Sequence, residues 1–250
     1  MSYEVKNEFI SEKLESEIAA AIKERRSIEQ LLMKKKFAAT PEKLEELTHI
    51  LIKYMGINMA LEFILFTANQ GEWENYRSIL ANLWEKIAVS ENFKTEHRLL
   101  LGRSLYQKGH TELGAQFIRK AAVNASDVKQ AVAVAEVVNH EIGNKAWVRE
   151  VLLTAKEIAK TADDYTKITR GFIELADDEL EGKKTINEAV KVAHAFVEYC
   201  EIAVIVLKSF NDVECAEAIF EAGLCNKDDS SPLDMVAEEE YKETLARYQK

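Results

Sequence analysis

Two prolines and nine glycines are the only strong backbone breakers in 250 residues. A β-sandwich or an α/β chain of this length needs many more turns than these supply. Alternating runs of Val, Ile and Thr are also missing, whereas Ala, Leu, Glu and Lys dominate. Together these absences point to an all-α fold.

Cysteine is scarce too. Cys200, Cys215 and Cys225 cannot all pair within one chain, and their spacings fit no zinc pattern. Reduced thiols in a cytoplasmic compartment are the expectation. The first 30 residues carry acids and no continuous apolar run, so no signal peptide is expected. The most apolar stretch, "IAVIVLKSF" from Ile202, is too short to span a bilayer, so no membrane partner is expected.

Positive charge is in deficit. Lys and Arg total 33 against 43 Asp and Glu, a formal charge of −10. On average such a chain repels phosphate backbones, so nucleic acid is not expected as a partner. The local basic runs, Lys23 with Arg25 and Arg26, then Lys34, Lys35 and Lys36, read as solvated helix faces.

Catalytic signatures are missing as well. There is no Gly-x-Ser-x-Gly, Walker loop, dinucleotide glycine cluster or His-Glu-x-x-His. The cysteines sit in apolar helical contexts that suit small core residues. "EELTH" places Glu46 and His49 at the i, i+3 spacing of carboxylate-bridged di-iron bundles, but no second Glu-x-x-His accompanies it. Glu136 and His140 are spaced differently. No cofactor is expected. A helical-bundle metal or cofactor protein using Glu46 and His49 stays open as the alternative to a non-catalytic one.

What is present is 47% hydrophobic residues, enough for a core, arranged with helical periodicity. Residues 1–38 read as one long helix, either a cap on the first layer or an arm for a dimer or partner. "TPEKLEELTHILIKYMG" has Thr40 as N-cap, Pro41 at the first helical position and Gly56 as the stop. "INMALEFILFTANQG" is apolar nearly all round. "EWENYRSILANLWEKIAV" gathers Trp73, Tyr76, Leu80, Leu83, Trp84 and Ile87 on one face. Ser126 is expected to cap the helix that ends at Gly143. Helices "DDYTKITRGFIELADDELEG" and "KKTINEAVKVAHAFVEYCEIAVIVLKSF" follow, then "NDVECAEAIFEAG". After the loop "CNKDDSSP" comes a last polar helix expected to pack loosely. The count is about eleven or twelve helices, with residues 39–225 as a repeat array and 226–250 as loop and terminal helix.

Gly109 and Gly143 lie 34 residues apart, Gly143 and Gly182 39 apart. At matching distances beyond the first two glycines stand Gly114, Ile118 and Ala121, then Val148, Leu152 and Ala155. A helix pair per roughly 34 residues is the period of a tetratricopeptide array. Beyond Gly182 the period drifts.

"LLLGRSLYQKGHTELGAQFIRKAA" resembles a tetratricopeptide (TPR) repeat. Leu101 and Gly102 stand where that family keeps a Leu-Gly pair. Leu105 takes the aromatic place and Gly109 the turn. Gly114, Ile118 and Ala121 take the small, large and small places of the second helix. The likeness is clearest over 95–161. It departs at Ala135 and Glu136, which replace the Leu-Gly pair of the second unit, and in lacking the closing proline.

The resemblance implies antiparallel helix pairs stacked as a right-handed solenoid, with a partner peptide or helix of another protein in the concave groove. First helices would line that groove, which nominates Arg98, Arg103, Gln107, Asn139 and Arg170 as contacts, the arginines clamping a carboxylate. Trp147 would face an adjoining helix or serve as an exposed binding anchor. Self-association, through the N-terminal helix or the aromatic face around Trp73 and Trp84, makes a second copy of the chain the other partner. The acidic groups Asp177-Asp178-Glu179, Asp228-Asp229 and Glu238-Glu239-Glu240 read as solvated surface, with a basic partner as the alternative.

Overall fold

Left-handed backbone recurs along this chain at a fixed interval. Gly109 (φ 87°), Gly143 (φ 69°), Asp177 (φ 55°) and Asn211 (φ 52°) follow one another every 34 residues. Each precedes a helix: α4 (Thr111–Val123), α6 (Lys145–Ile158), α8 (Glu179–Val192) and α10 (Val213–Gly223). The computed structural model describes residues 12–24, 27–28, 30–31, 41–56, 59–60, 94–107, 109 and 111–249. Every regular element among the described residues is helical, and none is long and apolar enough to cross a membrane.

The recurrence corrects the glycine-based period. The turn after Gly143 is at Asp177, not Gly182. Asp and Asn enter the left-handed region more readily than other side chains do, so they replace glycine without a glycine signal. Gly182 lies inside α8, where a Cβ would come within 3.0 Å of Ile173. Its role is close helix packing, like that of Gly114, whose Cβ would meet the Gly102 carbonyl oxygen at 2.7 Å.

Two sets of caps share the interval. Asn144, Asp178 and Asp212 each accept a bond from the backbone N–H three residues on, at Trp147, Glu181 and Cys215, all at 3.0 Å. These bonds satisfy donors that a helix start leaves open. The intervening helices are α5 (Val128–Val137), α7 (Ala162–Arg170) and α9 (Phe196–Phe210). Their third residues, Gln130, Asp164 and Glu198, reach back to the N–H groups of Ser126, Lys160 and His194 at 3.1, 3.0 and 2.7 Å. The cap of α5 is Asp127, which accepts from Gln130 N–H at 2.8 Å, and not Ser126.

Two long sequence-predicted helices are divided. The first breaks at Ala176–Asp178 and the second at Ala193–Ala195, where Glu198 gathers the loose N–H groups of His194 and Ala195. The last turns of α5 and α7 continue as π-helix over Val138–Ile142 and Gly171–Leu175.

By contacts the chain forms two units, Met1–Phe117 and Ile118–Lys250. In the first, α1 (Glu12–Lys23) packs on α2 (Pro41–Met55), burying Ile18, Ala21, Leu47 and Leu51. Glu15 accepts from Lys53 at 2.9 Å and Tyr54 at 3.1 Å. The expected single helix over 1–38 is interrupted: α1 stops at Lys23, and Ser27 caps a new start by accepting from Gln30 N–H at 3.2 Å. Gly56 (φ 82°) closes α2. α3 (Thr95–Gln107) buries Leu101, Gly102 and Leu105. Thr40, Gly71, the Trp73–Trp84 face, Arg25, Arg26 and Lys34 to Lys36 lie outside the described residues.

In the second unit α5 packs on α6 and α7, α7 on α8 and α9, and α9 on α10 and α11 (Pro232–Tyr248). α9 is its centre, with Phe196, Cys200, Ile202, Ala203, Val206 and Leu207 buried. The terminal helix does not pack loosely: α11 buries Ala237, Tyr241 and Thr244, and Tyr241 enters the α9 core.

Candidate functional site

Side chains three or four residues apart share one face of a helix. On α9 this places Val197, Glu201, Val204 and Lys208 in one row, forming the floor of a groove of about 390 Å³. α7 supplies one wall with Asp163, Thr166, Lys167 and Arg170. α11 supplies the other with Leu233, Val236, Ala237 and Glu240. Leu233 and Val236 are 72% and 64% exposed. Large apolar side chains left this open, side by side in a concave surface, are the kind that association covers.

Charge is distributed unevenly over the groove. Lys167 pairs with Asp163 one turn back, and Lys208 lies 3.7 Å from Glu240. Arg170 and Glu201 have no ion pair among the described residues. The groove walls thin the hydration of Glu201, and this pushes its carboxyl above the usual range; Asp163, Glu198 and Glu240 push the same way and Arg170 opposes them. The site therefore offers one cation with no ion pair among the described residues, one crowded carboxylate that feels that cation, and two open apolar side chains.

The sequence-nominated residues are dispersed. Only Arg170 lines this groove. Arg98, Arg103 and Gln107 are carried together on α3, with Arg103 and Gln107 exposed and Arg98 half-buried. Asn139 is half-buried in the π turn after α5, where its carbonyl accepts from Gly143 N–H at 3.2 Å. Glu201, Lys208, Leu233 and Val236 were missed by sequence reasoning. The Val197, Glu201, Val204, Lys208 spacing was the available signal.

Trp147 is neither deep core nor a free anchor. It is half-buried at the start of α6, with the Arg119 guanidinium 5.1 Å from its ring centre. The acidic groups are largely engaged. Asp177 meets Lys145 at 3.3 Å and Asp178 meets Arg149 at 2.6 Å. Lys227 bridges Asp229 at 2.6 Å and Glu238 at 2.9 Å. Glu181, which is mostly buried, holds Lys156 at 2.8 Å and Lys184 at 3.2 Å, tying α6 to α8.

Two of the three thiols sit in surroundings that favour the protonated form. Burial, with Glu238 and Asp234 nearby, pushes the Cys200 thiol up to about 12. Burial and Asp212 also raise Cys215. Thiols so placed carry little thiolate near neutrality. Glu46 and His49 are both half-buried on α2, and among the described residues no three His, Cys, Asp or Glu converge as a metal-holding group. The chain matches no protein-family model, no curated protein and no solved structure.

Proposed function

We propose that this chain is a divergent TPR-like solenoid and a non-catalytic interaction scaffold. A segment of another protein would lie in the groove formed by α7, α9 and α11. The observation that carries this reading is the pair of exposed apolar side chains, Leu233 and Val236, lining one concave surface with Arg170, which has no ion pair among the described residues. A segment with two apolar residues and a nearby carboxylate meets that surface: the apolar pair covers Leu233 and Val236, and the carboxylate takes the Arg170 fork.

The array reading is supported by the order of packing. α5, α7, α9 and α11 each touch the next in line, and α6, α8 and α10 each touch the helix before them. A stack of helix pairs has this neighbour pattern, which makes a longer surface than a compact bundle of equal mass. The 34-residue recurrence of turns and caps is a second support. Arg98, Arg103 and Gln107 on α3, and Asn139 after α5, belong to first helices in the same scheme.

The test is photo-crosslinking from a reactive residue placed at Val236, in native lysate, with partners identified by mass spectrometry. Arg170→Glu and the double variant Leu233→Asp, Val236→Asp should each lose the crosslinked partner by roughly tenfold or more, with circular dichroism unchanged. Equal capture by folded variants would sink the groove. Arg98→Ala with Arg103→Ala tests α3 in the same assay.

A further inference from the structure

The second unit carries another concavity, of about 690 Å³, formed by the end of α4, α5 and α6. Its floor is apolar: Ala122, Ala131, Val151, Ala155 and Ile158. Its polar groups are few. The Asn144 side-chain oxygen is committed to the backbone N–H of Trp147 at 3.0 Å, which fixes the turn that presents the indole. Thr154 donates to the Glu150 carbonyl at 3.2 Å. Arg119 and Glu150 are exposed and have no ion pair among the described residues.

The geometry of Arg119 is informative. Its guanidinium sits over the Trp147 ring at 5.1 Å. The ring's negative face attracts the cation and orients it. Its five N–H donors have no hydrogen-bonded acceptor among the described residues. An oriented fork without an acceptor is matched by a carboxylate. The apolar floor beside it takes a hydrocarbon body, and the volume falls within the range of about 300–1,000 Å³ usual for small-molecule sites. Glu150 sets polarity: an acid group placed near it is repelled, so the head group belongs at Arg119.

We propose that this cavity binds a small apolar carboxylate, its hydrocarbon on the alanine and valine floor and its acid group on the open edge of Arg119. The site shares no residue with the α7–α9–α11 groove and does not depend on the scaffold reading.

The experiment is calorimetric titration of the full chain with decanoate below its micellar concentration, with decan-1-ol and decylammonium as head-group controls. Saturable decanoate binding is expected, roughly tenfold tighter than either control, as a charge-assisted hydrogen bond supplies. Arg119→Gln should erase that preference. Glu150→Gln should tighten decanoate, because a repelling charge is gone. Ala122→Phe should fill the cavity and abolish binding of all three. No decanoate binding to the wild-type chain, equal binding of decanoate and decan-1-ol, or an unchanged decanoate affinity in folded Arg119→Gln would each overturn the proposal.

Discussion

Tyr241 stacks on Phe220, 4.3 Å between ring centroids and 12° between planes. Phe196 and Phe220 meet edge to face, with ring centroids 5.6 Å apart. The Tyr241 hydroxyl is buried with no hydrogen-bond partner among the described residues, and burial pushes it up to about 12. A buried polar group without a partner carries an uncompensated desolvation penalty. Tyr241→Phe keeps the stack and removes that penalty, so stability should rise by about 1 kcal/mol. Tyr241→Ala should lower it by roughly 3–5 kcal/mol. Urea unfolding measures both; a destabilised Tyr241→Phe would mean the hydroxyl has a partner.

Asn211, at φ 52°, holds the last of the four left-handed turns spaced 34 residues apart. Gly relieves the Cβ conflict there, so Asn211→Gly should stabilise by up to about 1 kcal/mol. Asn211→Val should destabilise by roughly 1–2 kcal/mol. Equal stabilities for the two variants would remove the left-handed turn from this position.

Gly223 lies against Tyr199, and a Cβ would stand 2.6 Å from the Tyr199 Cβ. Both atoms are fixed close to the backbone, so the two helices must separate. Gly223→Ala should cost about 1–3 kcal/mol, read as a fall in thermal midpoint. An unchanged midpoint would mean that α9 and α10 are not this close.

The three thiols should react in order. Cys225 is exposed, Cys215 half-buried and raised, Cys200 buried and raised to about 12. Maleimide should label Cys225 first, Cys215 more slowly, and Cys200 at the rate of unfolding. Rapid labelling of Cys200 in native buffer would contradict its place in the α9 core.

Acid should loosen the α6–α8 junction. The Glu181 N–H and Arg149 hold the Asp178 carboxyl below the usual range, and Lys156 does the same for Glu181 against its burial. Groups with depressed folded pKa values contribute stability that is full above their unfolded values of about 4 and is lost as pH falls through the folded ones. Glu181→Gln should reduce neutral stability by about 1–3 kcal/mol and flatten the acid limb of the stability curve. A parallel acid limb in the variant would place the effect elsewhere.

The all-helical class was legible because breakers are so few, and Gly109 with Gly143 exposed the first interval. The later turns were hidden because Asp177 and Asn211 do glycine's work through a weaker preference that many non-turn Asp and Asn residues share. The reach-back role was hidden more thoroughly. Gln130, Asp164 and Glu198 perform it with three different side chains, and only the backbone donors at Ser126, Lys160 and His194 are common to them. The groove was missed for a different reason. It is composed across α7, α9 and α11, so no single segment shows it.

The π turns at the ends of α5 and α7 give the chain slack in length. A π turn accommodates one residue more than the α-helical turn it replaces. Removing one residue from Val138–Ile142 would let that stretch relax to ordinary helix while the caps at Asp127 and Asn144 stay in place. The same deletion within α6 would rotate every following side chain by about 100° and turn Val151, Leu152 and Ala155 out of the core. Length errors are thus tolerated at the ends of these two helices and punished within the next.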